Sequence, residues 1–233
     1  MPVRGLLFDF DGLLIDTETP SRLAYEELYR EHGHELPLER WATLVGTIGA
    51  EFDPDAHLEE LVGRPLDQVA LAERRRAREF ELCDLEDFRP GIEEYLHAAE
   101  QRGLKTAIVS SSNTDWIARH LQRLDRANGW GVIVAADGDV ARAKPQPDLY
   151  IEALERLGLQ PSEAIAFEDS VNGIRAAKGA GVFVVAVPNP ITETFPLDEA
   201  DLRLRSLQDL PLDELIDRVE RSLPTSESAR TSS

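Results

Sequence analysis

The sequence predicts an α/β fold: a doubly wound parallel-sheet (Rossmann-like) core with an inserted helical cap domain. Three observations predict it. From residue 89 onward, strand-like and helix-like segments alternate, the pattern of a sheet built from crossover units. Strand segments such as "KTAIVSSS" and "VFVVAVPN" are too apolar to have a wet face, so helices should cover both sides of the sheet. A further strand of the same character, at residues 3–10, is separated from the others by an all-helical stretch.

Each element follows from its local pattern. "VRGLLFDF" is a continuous apolar run ending in acid, which marks a buried strand. "TPSRLAYEELYREHGHELP" is a helix with Leu23, Leu28 and Tyr29 among its apolar positions, closing near Gly33 and Pro37. "DPDAHLEELVGRP" is a short helix with a Gly-Arg-Pro stop, and "LDQVALAERRRAREFELCDLEDF" a longer one. Its basic cluster interleaves acids at helical spacing, so a solvated helix face is expected there rather than a nucleic-acid patch. After residue 89 come the helix "RPGIEEYLHAAEQRGL", the strand "KTAIVSSS", the helix "TDWIARHLQRL" and the strand "GVIVAAD". The helix "PDLYIEALERLGL", the strand "EAIAFEDS", the glycine-closed helix "VNGIRAAKGAG" and the strand "VFVVAVPN" follow. "ADLRLRSL" is a last edge strand and "LDELIDRVERSL" a last helix. The core is therefore expected at residues 1–15 and 86–223 and the cap at 16–85. The small, polar segment 224–233 is expected to be disordered.

Composition narrows the partners. The chain has 233 residues and a net charge of −19, so its general surface should repel nucleic acid and anionic membranes. Cys83 is the only cysteine, which excludes an intrachain disulfide. The start carries no secretory signal pattern, and no run of apolar residues is long enough to span a membrane. A cytoplasmic protein is expected; the oligomeric state is left open, a monomer being compatible.

In doubly wound sheets, ligands bind beyond the carboxyl ends of the strands. The first strand ends in Asp9 and Asp11. The second delivers Ser110, Ser111, Ser112 and Asn113. Lys144 follows the third, and Glu168 and Asp169 end the fourth. Four carboxylates against one lysine leave a deficit that suits a divalent cation with oxygen ligands, which describes Mg2+. With Mg2+ and Lys144 in place, the pocket could accept a phosphate, with Ser110 and the backbone N–H groups near Gly12 and Ser111 as donors. Ser110 as a nucleophile would need a base, and none of His32, His34, His57, His97 and His120 falls at a strand end; they read as helix-surface or boundary residues. A carboxylate nucleophile fits better. Taken singly these residues have plainer readings. Asp16 and Thr17 suit a turn and a cap, and Ser112 and Asn113 suit the cap of the next helix. Their joint order along the chain is what points to phosphoryl transfer.

Through "DFDGLLIDTE", "VSSSN", "AKPQPDLY" and "FEDSVNGIRAAKGAG", the sequence resembles the haloacid dehalogenase-like hydrolase superfamily. It is most similar to the branch with a helical cap after the first strand, which includes β-phosphoglucomutase and many sugar-phosphate phosphatases. The resemblance covers nearly all of the chain except the polar tail. It implies Asp9 as a nucleophile that forms an aspartyl phosphate, and Asp11 as general acid and base. It implies Ser110 and Lys144 as holders of the phosphate, with Lys144 also pairing with Asp9. Asp9, Glu168, Asp169 and the backbone carbonyl of Asp11 are the implied Mg2+ ligands. β-Phosphoglucomutases also carry a cap-hinge histidine and a cap-loop arginine that grips a second phosphate. Here the hinge place falls to Ser21 or a near neighbour, and the loop "LVGTIGAEF" has no arginine nearby. Gly46 and Gly49 could let that loop close over the substrate. The expected activity is thus hydrolysis of a small-molecule phosphate monoester, with sugar phosphates among the candidate substrates. A sugar-phosphate mutase is the alternative, and a phospho-aspartate signalling or binding module the remoter one.

Overall fold

The computed structural model describes residues 2–41, 43–44 and 52–222. Six strands form one sheet: β1 (Gly5–Phe8), β2 (Lys105–Ser110), β3 (Val132–Ala135), β4 (Ala164–Glu168), β5 (Phe183–Ala186) and β6 (Leu202–Arg203). Their spatial order is β3-β2-β1-β4-β5-β6, and every neighbouring pair is parallel. The first strand therefore sits at the centre. The order reverses between β1 and β4, which is where such sheets open a crevice for ligands.

Side chains divide strictly between the two faces. Leu6, Phe8, Ile108, Ile165, Phe167 and Val185 face one layer. That layer is built from α5 (Ile92–Arg102), α6 (Thr114–Arg123) and α9 (Leu212–Ser222). Leu7, Ala107, Val109, Ala166, Val184 and Ala186 face the other, built from α7 (Asp148–Leu157) and α8 (Val171–Gly179). The alternation is the two-residue period of the strand, and the double burial explains why these segments lack polar residues.

Helices α1 (Glu18–Glu31), α2 (Leu38–Trp41), α3 (Pro54–Val62) and α4 (Gln68–Cys83) occupy the interval between β1 and β2. Tyr25, Leu28, Tyr29, Trp41 and Leu58 form their own cluster, which also meets Ile191. Arg78 of α4 bonds Glu27 of α1 through two nitrogens, and the Arg75 guanidinium lies over the Tyr25 ring. The chain leaves and re-enters the sheet side by side: Ile15 bridges Phe88, and the Arg89 N–H donates to the Leu14 carbonyl.

Several boundaries differ from the sequence reading. β1 is shorter than residues 3–10, because after Phe8 the chain turns at Gly12, whose N–H bonds the Ile15 carbonyl. The short helix α2 lies where no element was expected; four residues are too few to show a period. Segment 224–233 lies outside the described residues, as do Gly46 and Gly49.

Candidate active site

The strand ends bring Asp9, Glu168 and Asp169 together. One oxygen of each lies within 4.8 Å of the others, and all three residues are buried. Lys144 is buried with them, its Nζ 2.5 Å from Asp9 Oδ1 and 2.7 Å from Glu168 Oε1. Burial alone would lower the Lys144 pKa, but the two carboxylates outweigh it and hold the ammonium above its ordinary value. Burial raises Asp9 against the pull of Lys144. Burial and then repulsion from Asp9 push Glu168 up to about 8, and burial with repulsion from Asp9, Glu168 and Glu18 raises Asp169 well above its ordinary value. The Lys144 ammonium pairs with Asp9 and Glu168 and not with Asp169, so the cluster is short of positive charge.

That shortage has a visible mark. Glu168 Oε1 receives Lys144 and the Tyr150 hydroxyl, but Oε2 is buried with no hydrogen-bond partner among the described residues. A buried orphan carboxylate oxygen in an all-oxygen donor set fits a hard divalent cation. Two glycines keep the space open. At Gly12, where φ is +78°, a Cβ would lie 2.4 Å from Asp169 Oδ2. At Gly173 it would lie 1.8 Å from Glu168 Oε2. Asn189 fixes Asp169 through Nδ2 at 2.7 Å, and is itself fixed by the N–H groups of Ile191 and Thr192. Arg89 donates to the carbonyls of Gly12, Val187 and Pro188, tying together the loops that follow β1 and β5.

The Asp11 side chain is not part of the triplet. Its Oδ1 accepts from Thr17 Oγ1 at 2.9 Å and Trp116 Nε1 at 2.8 Å. Its Oδ2 accepts from Ser112 Oγ at 2.5 Å and Ser110 Oγ at 3.3 Å. Ser110 is buried, and its Oγ also accepts the Ser112 N–H. Ser111 Oγ accepts the Lys144 N–H at 3.2 Å. A cavity of about 800 Å³ opens over this group, bounded by Asp9, Asp11, Ser110 and Lys144 below and by Glu18 and Arg76 of the inserted helices. Burial, then Asp11 and Asp9, push Glu18 up to about 8, although its side chain keeps some contact with the cavity.

The sequence-predicted Asp9, Asp11, Gly12, Ser110, Ser111, Lys144, Glu168 and Asp169 thus meet at one edge of the sheet. Other expectations need correction. Ser112 does not cap α6 but bonds Asp11, and Asn113 makes no side-chain cap bond. Asp137 caps that helix instead, accepting the Thr114 N–H and hydroxyl. Asp16 does accept the Thr19 N–H, as a turn residue would, but Thr17 serves Asp11. His120 is not a surface or boundary residue; it is fully buried, and neither ring nitrogen has a hydrogen-bond partner among the described residues. The basic stretch of α4 is paired with acids at the surface, as Arg74 is with Glu31, yet Arg76 faces the cavity. Asn189, Arg89, Tyr150 and Trp116 were not found from sequence.

The family model described as haloacid dehalogenase-like hydrolase matches residues 3–181. "Putative phosphatase YhcW" of Bacillus subtilis is 43% identical over 93% of this chain and 98% of its own length. Validoxylamine A 7'-phosphate phosphatase of Streptomyces hygroscopicus is 32% identical, covering 88% of this chain and 94% of its own. Among solved structures, a "putative beta-phosphoglucomutase" of Thermotoga maritima superposes with a TM-score of 0.74 at 26% identity, over 95% of this chain and all of that one.

Proposed function

The chain belongs to the haloacid dehalogenase-like hydrolases, and from that premise we propose that it is a Mg2+-dependent phosphatase that hydrolyses a small-molecule phosphate monoester through an aspartyl phosphate on Asp9. The observation that carries this reading is the buried set of Asp9, Lys144, Glu168 and Asp169, with Asp11 beside it at the floor of an open cavity.

Asp9, Glu168 and Asp169, with the Asp11 carbonyl, would hold the cation. Mg2+ supplies there a counter-charge for the phosphoryl oxygens and for the attacking carboxylate. Lys144 orients Asp9 and offers its one remaining N–H to the phosphoryl group. Ser110 Oγ and the Ser111 N–H are the neutral donors. An Asp9 oxygen forms a bond to phosphorus while the ester P–O bond breaks, and Asp11 delivers its proton to the departing oxygen. Water then attacks the aspartyl phosphate, and Asp11 takes up its proton. The helices at residues 16–85 act as a cap whose Glu18 and Arg76 meet the organic part of the substrate and keep bulk water out.

Water is the acceptor in this reading, since the hinge histidine and loop arginine of the mutases have no counterpart in the sequence. The test is phosphate release from a panel of phosphorylated sugars and polyols, with Mg2+ and with a chelator. Release that needs Mg2+ and leaves no isomerised sugar phosphate is expected. Isomer formation without phosphate release contradicts the hydrolase reading.

A further inference from the structure

We propose that Tyr150 is a positioning residue that limits Glu168 to one metal-facing oxygen and so sets the preference of the site for Mg2+ over Ca2+; this rests on the reading of Glu168 as a metal ligand above. The two oxygens of a glutamate are equivalent until its neighbours distinguish them. Glu168 Oε1 lies 2.7 Å from Lys144 Nζ and meets the Tyr150 hydroxyl. A ligating carboxylate carries no proton, and an ammonium can only donate. Both contacts are therefore donations into Oε1, and they fill its roughly two acceptor sites. Oε2 is buried and has no hydrogen-bond partner among the described residues. It is the oxygen of Glu168 left with free lone pairs.

Packing alone does not call for the hydroxyl. Tyr150 sits in the first turn of α7, fully buried in the apolar layer with Leu7, Val109, Ala166 and Val184. A phenylalanine would fill that place and bring no polar atom to satisfy. The carboxyl is also close against α8, since a Cβ at Gly173 would lie 1.8 Å from Oε2 and 2.4 Å from Oε1. With α7 and α8 both closed on it, the carboxyl has no room to present its oxygens differently. Mg2+ demands near-octahedral geometry, keeps several waters and uses few carboxylates, whereas Ca2+ takes roughly six to eight oxygens and readily uses both oxygens of one carboxylate. A Glu168 that offers Oε2 alone suits the first ion and withholds a ligand from the second.

The test is a Tm titration of the metal-free full chain with Mg2+ and, separately, with Ca2+, which reads both affinities. It compares the wild type with Tyr150→Phe and with Tyr150→4-aminophenylalanine, which keeps the ring and returns an N–H donor. Tyr150→Phe preserves the packing but frees an acceptor site on Oε1. Its Mg2+ affinity is expected to fall about tenfold, the low end of what the outer partners of a metal ligand contribute, with Ca2+ affinity unchanged or higher. The ratio of the two affinities then moves about tenfold toward Ca2+. Tyr150→4-aminophenylalanine is expected to return that ratio to the wild-type value. Equal weakening of both ions, as a packing defect would produce, no change in either, or a shift that the amino variant does not reverse overturns the inference while leaving the metal and hydrolase readings intact. A wild-type Tm that neither ion raises overturns the metal reading as well.

Discussion

Lys144 Nζ donates to Asp9 Oδ1 at 2.5 Å across 135 residues of chain. The pair is out of water, and the same ammonium also serves Glu168. One cation thus joins the end of β1 to the end of β4, the two strands that flank the reversal in sheet order.

Lys144→Met is expected to lower kcat for phosphate release by about 10²–10³, the loss typical of removing one fixed donor from a transition-state site. Because the substitution leaves buried acids without their partner, stability should also fall, by about 3–5 kcal/mol. Urea unfolding of metal-free protein measures the second effect. Unchanged kcat would remove Lys144 from the catalytic set.

Glu168 is raised from 4.5 to about 8, so the folded protein keeps a proton there that the unfolded chain releases. Its stabilising contribution is complete below the unfolded value and is lost as pH rises through the folded one. Metal-free protein should therefore lose Tm as pH rises from about 4.5 to about 8. Mg2+ competes with that proton for the same oxygens, so its addition should raise Tm more at the alkaline end. A Mg2+ shift equal at both ends contradicts Glu168 as a ligand.

Gly173→Ala places a methyl group 1.8 Å from Glu168 Oε2. Gly173 lies in α8 with an ordinary helical backbone, where alanine by itself would be favoured by about 1 kcal/mol. Weakened Mg2+ binding, by about tenfold or more for a displaced ligand, is the expected result, read by a Mg2+ titration of Tm. Undiminished affinity would place the cation away from Glu168.

His120 is lowered from 6.5 to about 4 by burial and then by Arg119 and Arg123. The unfolded chain takes up that proton first, so the stability tied to the neutral ring is present above about pH 6.5 and is lost as pH falls toward about 4. His120→Leu should flatten the acid side of the stability profile and be close to neutral at pH 7, since both ring nitrogens are already without partners. A large loss of Tm at neutral pH would reveal a hydrogen bond to the ring.

Much of this was legible in the sequence because it depends on local pattern. Doubly buried strands have no polar alternation, so "KTAIVS" and "FVVA" mark themselves. The acids that end such strands have to lie at one sheet edge, so Asp9, Glu168 and Asp169 could be grouped without coordinates. What escaped notice depends on which distant side chain fills the next position. Trp116 reads as an ordinary helix residue and Thr17 as a turn or cap residue until Asp11 is seen between them. Asn189 follows a strand whose loop gives no sign that it bends back to Asp169. Asp137 caps a helix that begins 23 residues earlier, a pairing that capping rules based on adjacent residues cannot find.

The most direct measurement is the site of phosphorylation during turnover. Wild-type protein mixed with Mg2+ and an excess of a hydrolysed phosphate ester, quenched in acid within the first turnovers, should gain the mass of one phosphoryl group, and peptide mapping should place it on Asp9. Asp9→Asn should neither gain it nor release phosphate. A phosphoryl group found on Ser110 or elsewhere, or an Asp9→Asn protein that still turns over, would contradict the carboxylate nucleophile.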